Sequence, residues 1–104
     1  MIRIEINTGK GGIEKILVKG HAGSGPFGHD LCCAAVSAIV FGGYNALEEN
    51  GPYSYDVKEG YALLSINGAI SKKDEAVLHT IITQLKSLEE SYPENLKINY
   101  KKEQ

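Results

Sequence analysis

Paired cysteines suited to a disulfide are missing. The chain has two cysteines, and they are neighbours, Cys32 and Cys33. Adjacent Cα atoms lie about 3.8 Å apart, closer than relaxed disulfides prefer. A disulfide-stapled secreted domain is therefore excluded, and two thiols point to a reducing cytoplasm. An excess of basic charge is missing too: 11 Lys and Arg stand against 13 Asp and Glu, for a net charge of -2. Apart from the short Lys101-Lys102 tail no basic face is visible, which argues against direct nucleic-acid binding as the main function. The first residues, Met1-Ile2-Arg3-Ile4-Glu5-Ile6, alternate in polarity and form no signal-peptide core. The longest apolar stretch, Leu31 to Leu47, is broken by Ser37, Gly42, Gly43 and Asn45. A membrane span needs about 20 mainly apolar residues, so this stretch reads as a buried helix and no membrane partner is expected. Repeats, linkers, low-complexity tracts and a phosphate-binding G-K-[ST] loop are all lacking.

The 104 residues fit one domain spanning 1–104. Ile2, Ile4 and Ile6 alternate with charged residues, the period of a half-buried strand. Turn residues at 7–12 and a second strand from Ile13 to Lys19 complete a hairpin. Residues 20–29 contain Gly20, Gly23, Gly25, Pro26 and Gly28 and read as a loop. Asp30 is placed to cap a helix running to about Glu49 and stopped by Asn50-Gly51-Pro52. That helix is apolar on nearly every side and needs cover on more than one face, by a sheet and by a partner chain. Tyr53–Val57 and Tyr61–Ile66 flank Lys58-Glu59-Gly60 as a second hairpin. Ser71, three residues before Asp74, opens an amphipathic helix carrying Val77, Leu78, Ile81, Ile82, Leu85 and Leu88 and ending before Pro93. Leu96 to Tyr100 alternates as a last strand. The order ββαββαβ predicts a two-layer α+β domain, with a mostly antiparallel sheet packed on two helices.

The chemistry concentrates between Gly20 and Ser37. His21 ends a strand, a glycine-rich stretch follows, and Cys32 and Cys33 enter the next helix. With Asp30 as N-cap, the two cysteines take the second and third helical positions, among amides that have no partner within the helix. The positive end of the helix favours a thiolate. A nearby imidazole can accept the thiol proton and return it to a leaving amine, while first-turn amides donate to a developing oxyanion. These are the parts of acyl transfer from a peptide bond.

Other readings draw on the same residues. Cysteines at the start of an apolar helix serve equally well as small hydrophobes. His21, His29, Cys32 and Cys33 supply four zinc-type donors, but at a non-standard spacing, and adjacent helical residues point about 100° apart. Gly23-Ser24-Gly25-Pro26-Phe27-Gly28 matches G-x-G-x-x-G, yet its third glycine falls before the helix rather than inside it. Neither a metal nor another cofactor is expected. His79, within the second helix, takes no role.

Gly20-His21-Ala22, then Gly28-His29-Asp30-Leu31-Cys32-Cys33-Ala34-Ala35-Val36-Ser37, resembles the signature of the ribosomal-processing cysteine protease family, Prp. The likeness continues through Phe41-Gly42, Asn45-Ala46 and the closing Asn95 to Tyr100, covering essentially the whole chain. The resemblance implies Cys33 as nucleophile and His21 as general base and acid. Cys32 stands where the family usually has Val. Asp30 matches the family's acidic residue before the helix, and Gly23, Gly25 and Gly28 match a flexible substrate loop. It further implies a cytoplasmic homodimer that removes an N-terminal extension from a large-subunit ribosomal protein precursor, with slow turnover and narrow specificity. The alternative from another class is a non-catalytic, ribosome-associated module that holds the same peptide without cutting it.

Overall fold

The computed structural model describes residues 1–20 and 28–102, with the backbone alone for 28–30. The expected order is present: β1 (Ile2–Gly9), β2 (Gly12–Lys19), α1 (Gly28–Asn45), β3 (Tyr53–Lys58), β4 (Tyr61–Ile66), α2 (Lys72–Ser91) and β5 (Leu96–Lys102). The strands form one sheet in the order β3-β4-β2-β1-β5. Three neighbouring pairs are antiparallel, and β5 lies parallel to β1, with Ile4 opposite Ile98. That parallel pairing needs a long crossover, which the chain from β2 through α2 supplies.

Alternation in the strands becomes a two-sided sheet. Ile2, Ile4, Ile6, Ile16, Ala62, Leu64, Leu96 and Ile98 are buried. Their neighbours Arg3, Lys15, Lys19, Lys97 and Asn99 are exposed. From the helices, Cys32, Val36, Val40 and Tyr44 of α1 and Leu78, Ile81 and Leu85 of α2 complete the same core. Each such aliphatic side chain contributes roughly 1.5–3 kcal/mol on leaving water. Gly43 lets the helices approach closely, since a Cβ there would run into Ile81.

Three boundaries differ from the sequence expectation. The first hairpin is tighter: β1 extends to Gly9, β2 starts at Gly12, and a bulge between Asn7 and Thr8 absorbs the odd residue. Gly12, at φ 109°, supplies the left-handed backbone the turn needs. Helix α1 stops at Asn45 rather than near Glu49. Its end tightens into bonds from Ala46 N–H to Gly43 O and from Leu47 N–H to Tyr44 O. Leu47 turns into the core, and the Glu48 N–H donates to Asp74 Oδ2 at 3.1 Å instead of to the helix. The start of α1 is corrected as well. It begins at Gly28, so Asp30 is its third residue and not the cap before it; helical backbone continues three residues further towards the N-terminus than the capping pattern indicated. An acidic residue in a first turn still opposes the helix dipole favourably.

α1 is also less completely covered than its composition suggested. The sheet and α2 cover one side, carrying Cys32, Val36, Val40 and Tyr44. Within the single chain Leu31 (64%) and Phe41 (40%) remain exposed.

Candidate active site

The two cysteines part company on α1. Cys32 is fully buried in the core beside Val36. Burial pushes its thiol pKa up, and the neighbouring Cys33 adds to the rise. A thiol held neutral in hydrocarbon is a poor nucleophile. Cys33, about 100° further round the helix, is half-buried and lines an open cleft of about 580 Å³. Ser37 and Phe41, one and two turns further along, line the same cleft. With the helix starting at Gly28, Cys33 is its sixth residue rather than the third. Its own amide therefore lies beyond the unpaired amides of the first turn, and the helix-end contribution to its thiol is weaker than the sequence spacing suggested, because the dipole effect fades within a turn.

The opposite wall comes from the sheet. Gly20, Lys58, Gly60 and Tyr61 line it, with Ile2, Val18 and Ala62 as an apolar floor. Gly20 N–H donates to Gly60 O at 2.9 Å, tying the end of β2 to the β3–β4 turn. Gly20 has φ 95°, and a Cβ would lie 2.6 Å from Met1 O, so glycine is required twice over. Lys58 Nζ sits 4.8 Å above the Tyr61 ring, a cation over an aromatic face at the cleft wall.

His21, with Gly23 and Gly25, lies outside the described residues. What the fold does decide is where His21 is attached: its neighbour Gly20 lines the cleft that Cys33 lines. Gly28 opens α1, the helix that carries Cys33. The four-donor zinc set loses its chelating pair, because the Cys32 and Cys33 sulfurs serve a core and a cleft respectively. Sequence reasoning missed Ser37, Phe41, Lys58 and Tyr61. The i, i+4, i+8 spacing of Cys33, Ser37 and Phe41 carried a signal for the helix wall; nothing local marked the two sheet residues.

Away from the cleft, a second polar centre is structural. Ser71 caps α2 by accepting from Asp74 N–H at 3.1 Å. The Asp74 carboxylate, 1% exposed, does not complete a capping box; its Oδ2 accepts from Glu48 N–H and, at 2.6 Å, from the Tyr53 hydroxyl. Burial first, then the Asp74 hydrogen bond, push the Tyr53 phenol well up. Burial likewise raises Tyr44, whose ring lies 5.6 Å from that of Tyr55.

A small α+β domain with one thiol sealed in the core and the next on an open cleft presents the accessible thiol that a cysteine protease needs. Residues 1–97 match the family model described as Cysteine protease Prp, and the chain belongs to that family. It is 35% identical to the ribosomal processing cysteine protease Prp of Staphylococcus aureus, over 97% of this chain and all of that one. The crystal structure of the S. aureus protease with a covalently linked product peptide superposes with a TM-score of 0.86 at 29% identity, covering 97% of this chain and 100% of that one. A Streptococcus mutans protein of solved structure superposes with a TM-score of 0.88 at 28% identity, covering 99% and 96%.

Proposed function

We propose that this cysteine protease removes the N-terminal extension of a large-subunit ribosomal protein, with Cys33 as nucleophile and His21 as its base. The observation that carries the reading is the shared cleft: Cys33 lines one wall and Gly20, the residue before His21, the other. His21 takes the Cys33 proton, and the sulfur forms a bond to the scissile carbonyl carbon. As the C–N bond breaks, the imidazolium gives its proton to the departing amine. Water, deprotonated by the same imidazole, then hydrolyses the thioester and frees the thiol. The covalent product complex of the S. aureus relative supports a cleft that receives peptide.

The core shared by both helices and all the strands but β3 supports one domain over the whole chain. The reading includes a homodimer. Leu31, Ala34, Ala38 and Gly42 form an exposed, uncharged outer face of α1, the side opposite the core, and a second copy would remove that face from water. Cytoplasmic residence follows from a ribosomal substrate and from thiol chemistry that needs reducing conditions. The test is incubation with an extended ribosomal precursor, followed by mass spectrometry of the product. The native protein releases the extension; cleavage that survives Cys33→Ala overturns the assignment.

A further inference from the structure

The cleft does not end at Phe41. That side chain is shared with a second, larger recess of about 930 Å³ between the C-terminal half of α1 and the edge strand β3. The two recesses follow one another along one side of α1, with Cys33, Ser37 and Phe41 lining the first and Phe41, Tyr44 and Asn45 the second. Their chemistry differs. The recess at Cys33 carries the Lys58 ammonium. The distal recess carries Glu48 and Glu49, with the rings of Phe41, Tyr44, Tyr53 and Tyr55 around them.

Two observations mark the distal recess as built for a ligand rather than merely uncovered. Tyr44 is 5% exposed, and its hydroxyl has no hydrogen-bond partner among the described residues; a buried hydroxyl without a partner is costly and uncommon. Beside it, Tyr55 and Val57 face the recess half exposed, at 49% and 51%, although they lie on the side of the sheet that elsewhere packs against the helices. Carboxylates set among aromatic faces attract a cation twice over, by charge and by ring quadrupole.

Resting on the proteolytic reading above, we infer that the distal recess is a substrate subsite for a Lys or Arg side chain of the peptide. The step from Cys33 to Tyr44 along α1 rises about 17 Å. An extended peptide advances about 3.3 Å per residue, so the basic side chain stands about five residues from the scissile bond. The opposite charges of the two recesses, Lys58 in the first and Glu48 with Glu49 in the second, make a basic residue favourable in the distal recess and unfavourable beside the cut.

The test uses peptides spanning the precursor's cleavage point, identical except for a single Lys-to-Gln exchange scanned over seven positions on each side. With native protein, one exchange about five residues from the cut lowers kcat/KM about five- to tenfold, chiefly through KM, and the loss shrinks in high salt. In Glu48→Gln/Glu49→Gln the Lys and Gln peptides are cleaved alike. In Glu48→Lys/Glu49→Lys the preference inverts towards a Glu peptide, a gain that a misfolded variant cannot produce. Cleavage with no charge preference anywhere in the scan overturns the subsite and leaves the protease standing, whereas failure to cleave any peptide counts against the protease reading itself. Peptides cleaved alike by a charge-reversed variant that has lost its dimer overturn the subsite as well, and assign the recess to a second copy of the chain.

Discussion

The two helices teach opposite lessons. α2 follows the rules of a supporting element: Ser71 caps it, Asp74 and Glu75 sit in its first turn, and one apolar face enters the core. Its Glu89 even reaches the edge of the sheet, accepting from Ile98 N–H at 2.8 Å. α1 breaks those rules. From Leu31 to Asn45 it has no charged residue, it exposes Leu31 and Phe41, and it sets one cysteine in the core and the next on a cleft. The helix that satisfies its own requirements supports the fold; the one that leaves surface unsatisfied carries the proposed nucleophile, Cys33.

The sharpest way to break this contrast is alkylation of the native protein. Iodoacetamide adds to one thiol, Cys33, at least about a thousandfold faster than to Cys32, which reacts only through opening of the core. Peptide mapping reads the ratio, and comparable labelling of both would erase the division within α1. On the supporting side, Asp74→Ala costs about 3 kcal/mol in urea unfolding, since it strands the Glu48 N–H and the Tyr53 hydroxyl. The kcat of the folded fraction stays near native; a change in chemistry with full stability would reverse the roles of the two regions.

Gly20→Ala joins them. Its left-handed backbone and the approach to Met1 O predict a loss of about 1–3 kcal/mol. Because His21 follows directly, cleavage falls further than the loss of folded protein explains, which parallel calorimetry and peptide assays separate. The alkaline limb of stability tests the buried aromatics. Tyr44, Tyr53 and Cys32 all have raised pKa values in the fold. Above their unfolded values, about 8.5 for Cys and 10 for Tyr, the unfolded chain has lost protons that the native chain still holds. The stability they provide is therefore complete at neutral pH and declines as pH rises past about 9. In Tyr53→Phe the decline is shallower, as thermal melts across pH 8–11 will show. The smallest effect belongs to Cys32→Val: under about 1.5 kcal/mol, for a near-isosteric change in a packed site, with peptide cleavage close to native.

Much of the fold was legible because short-range chemistry wrote it. The Ile2-Ile4-Ile6 alternation, the Lys58-Glu59-Gly60 turn and the Leu78-Ile81-Leu85 spacing each depend on residues within a few positions of one another. The end of α1 was misplaced because its terminator is not local: the Glu48 N–H is claimed by Asp74, 26 residues away in sequence. The capping of α1 by Asp30 failed by three residues for a related reason, since a capping pattern marks a helix start only to within a turn.

By itself the sequence determined the element order, the layered α+β class and the family signature, and it pointed to the segment that carries the proposed catalytic residues. These rest on periodicity and motif spacing, which survive without knowledge of contacts. Only the tertiary structure decided which thiol faces hydrocarbon and which the cleft, that Gly20 brings His21's point of attachment to that cleft, and that Lys58 and Glu48 line two neighbouring recesses that share Phe41. The physical reason is that environment is a property of packing: two residues adjacent in the chain differ in solvent, charge and reach only once the sheet has closed against the helix.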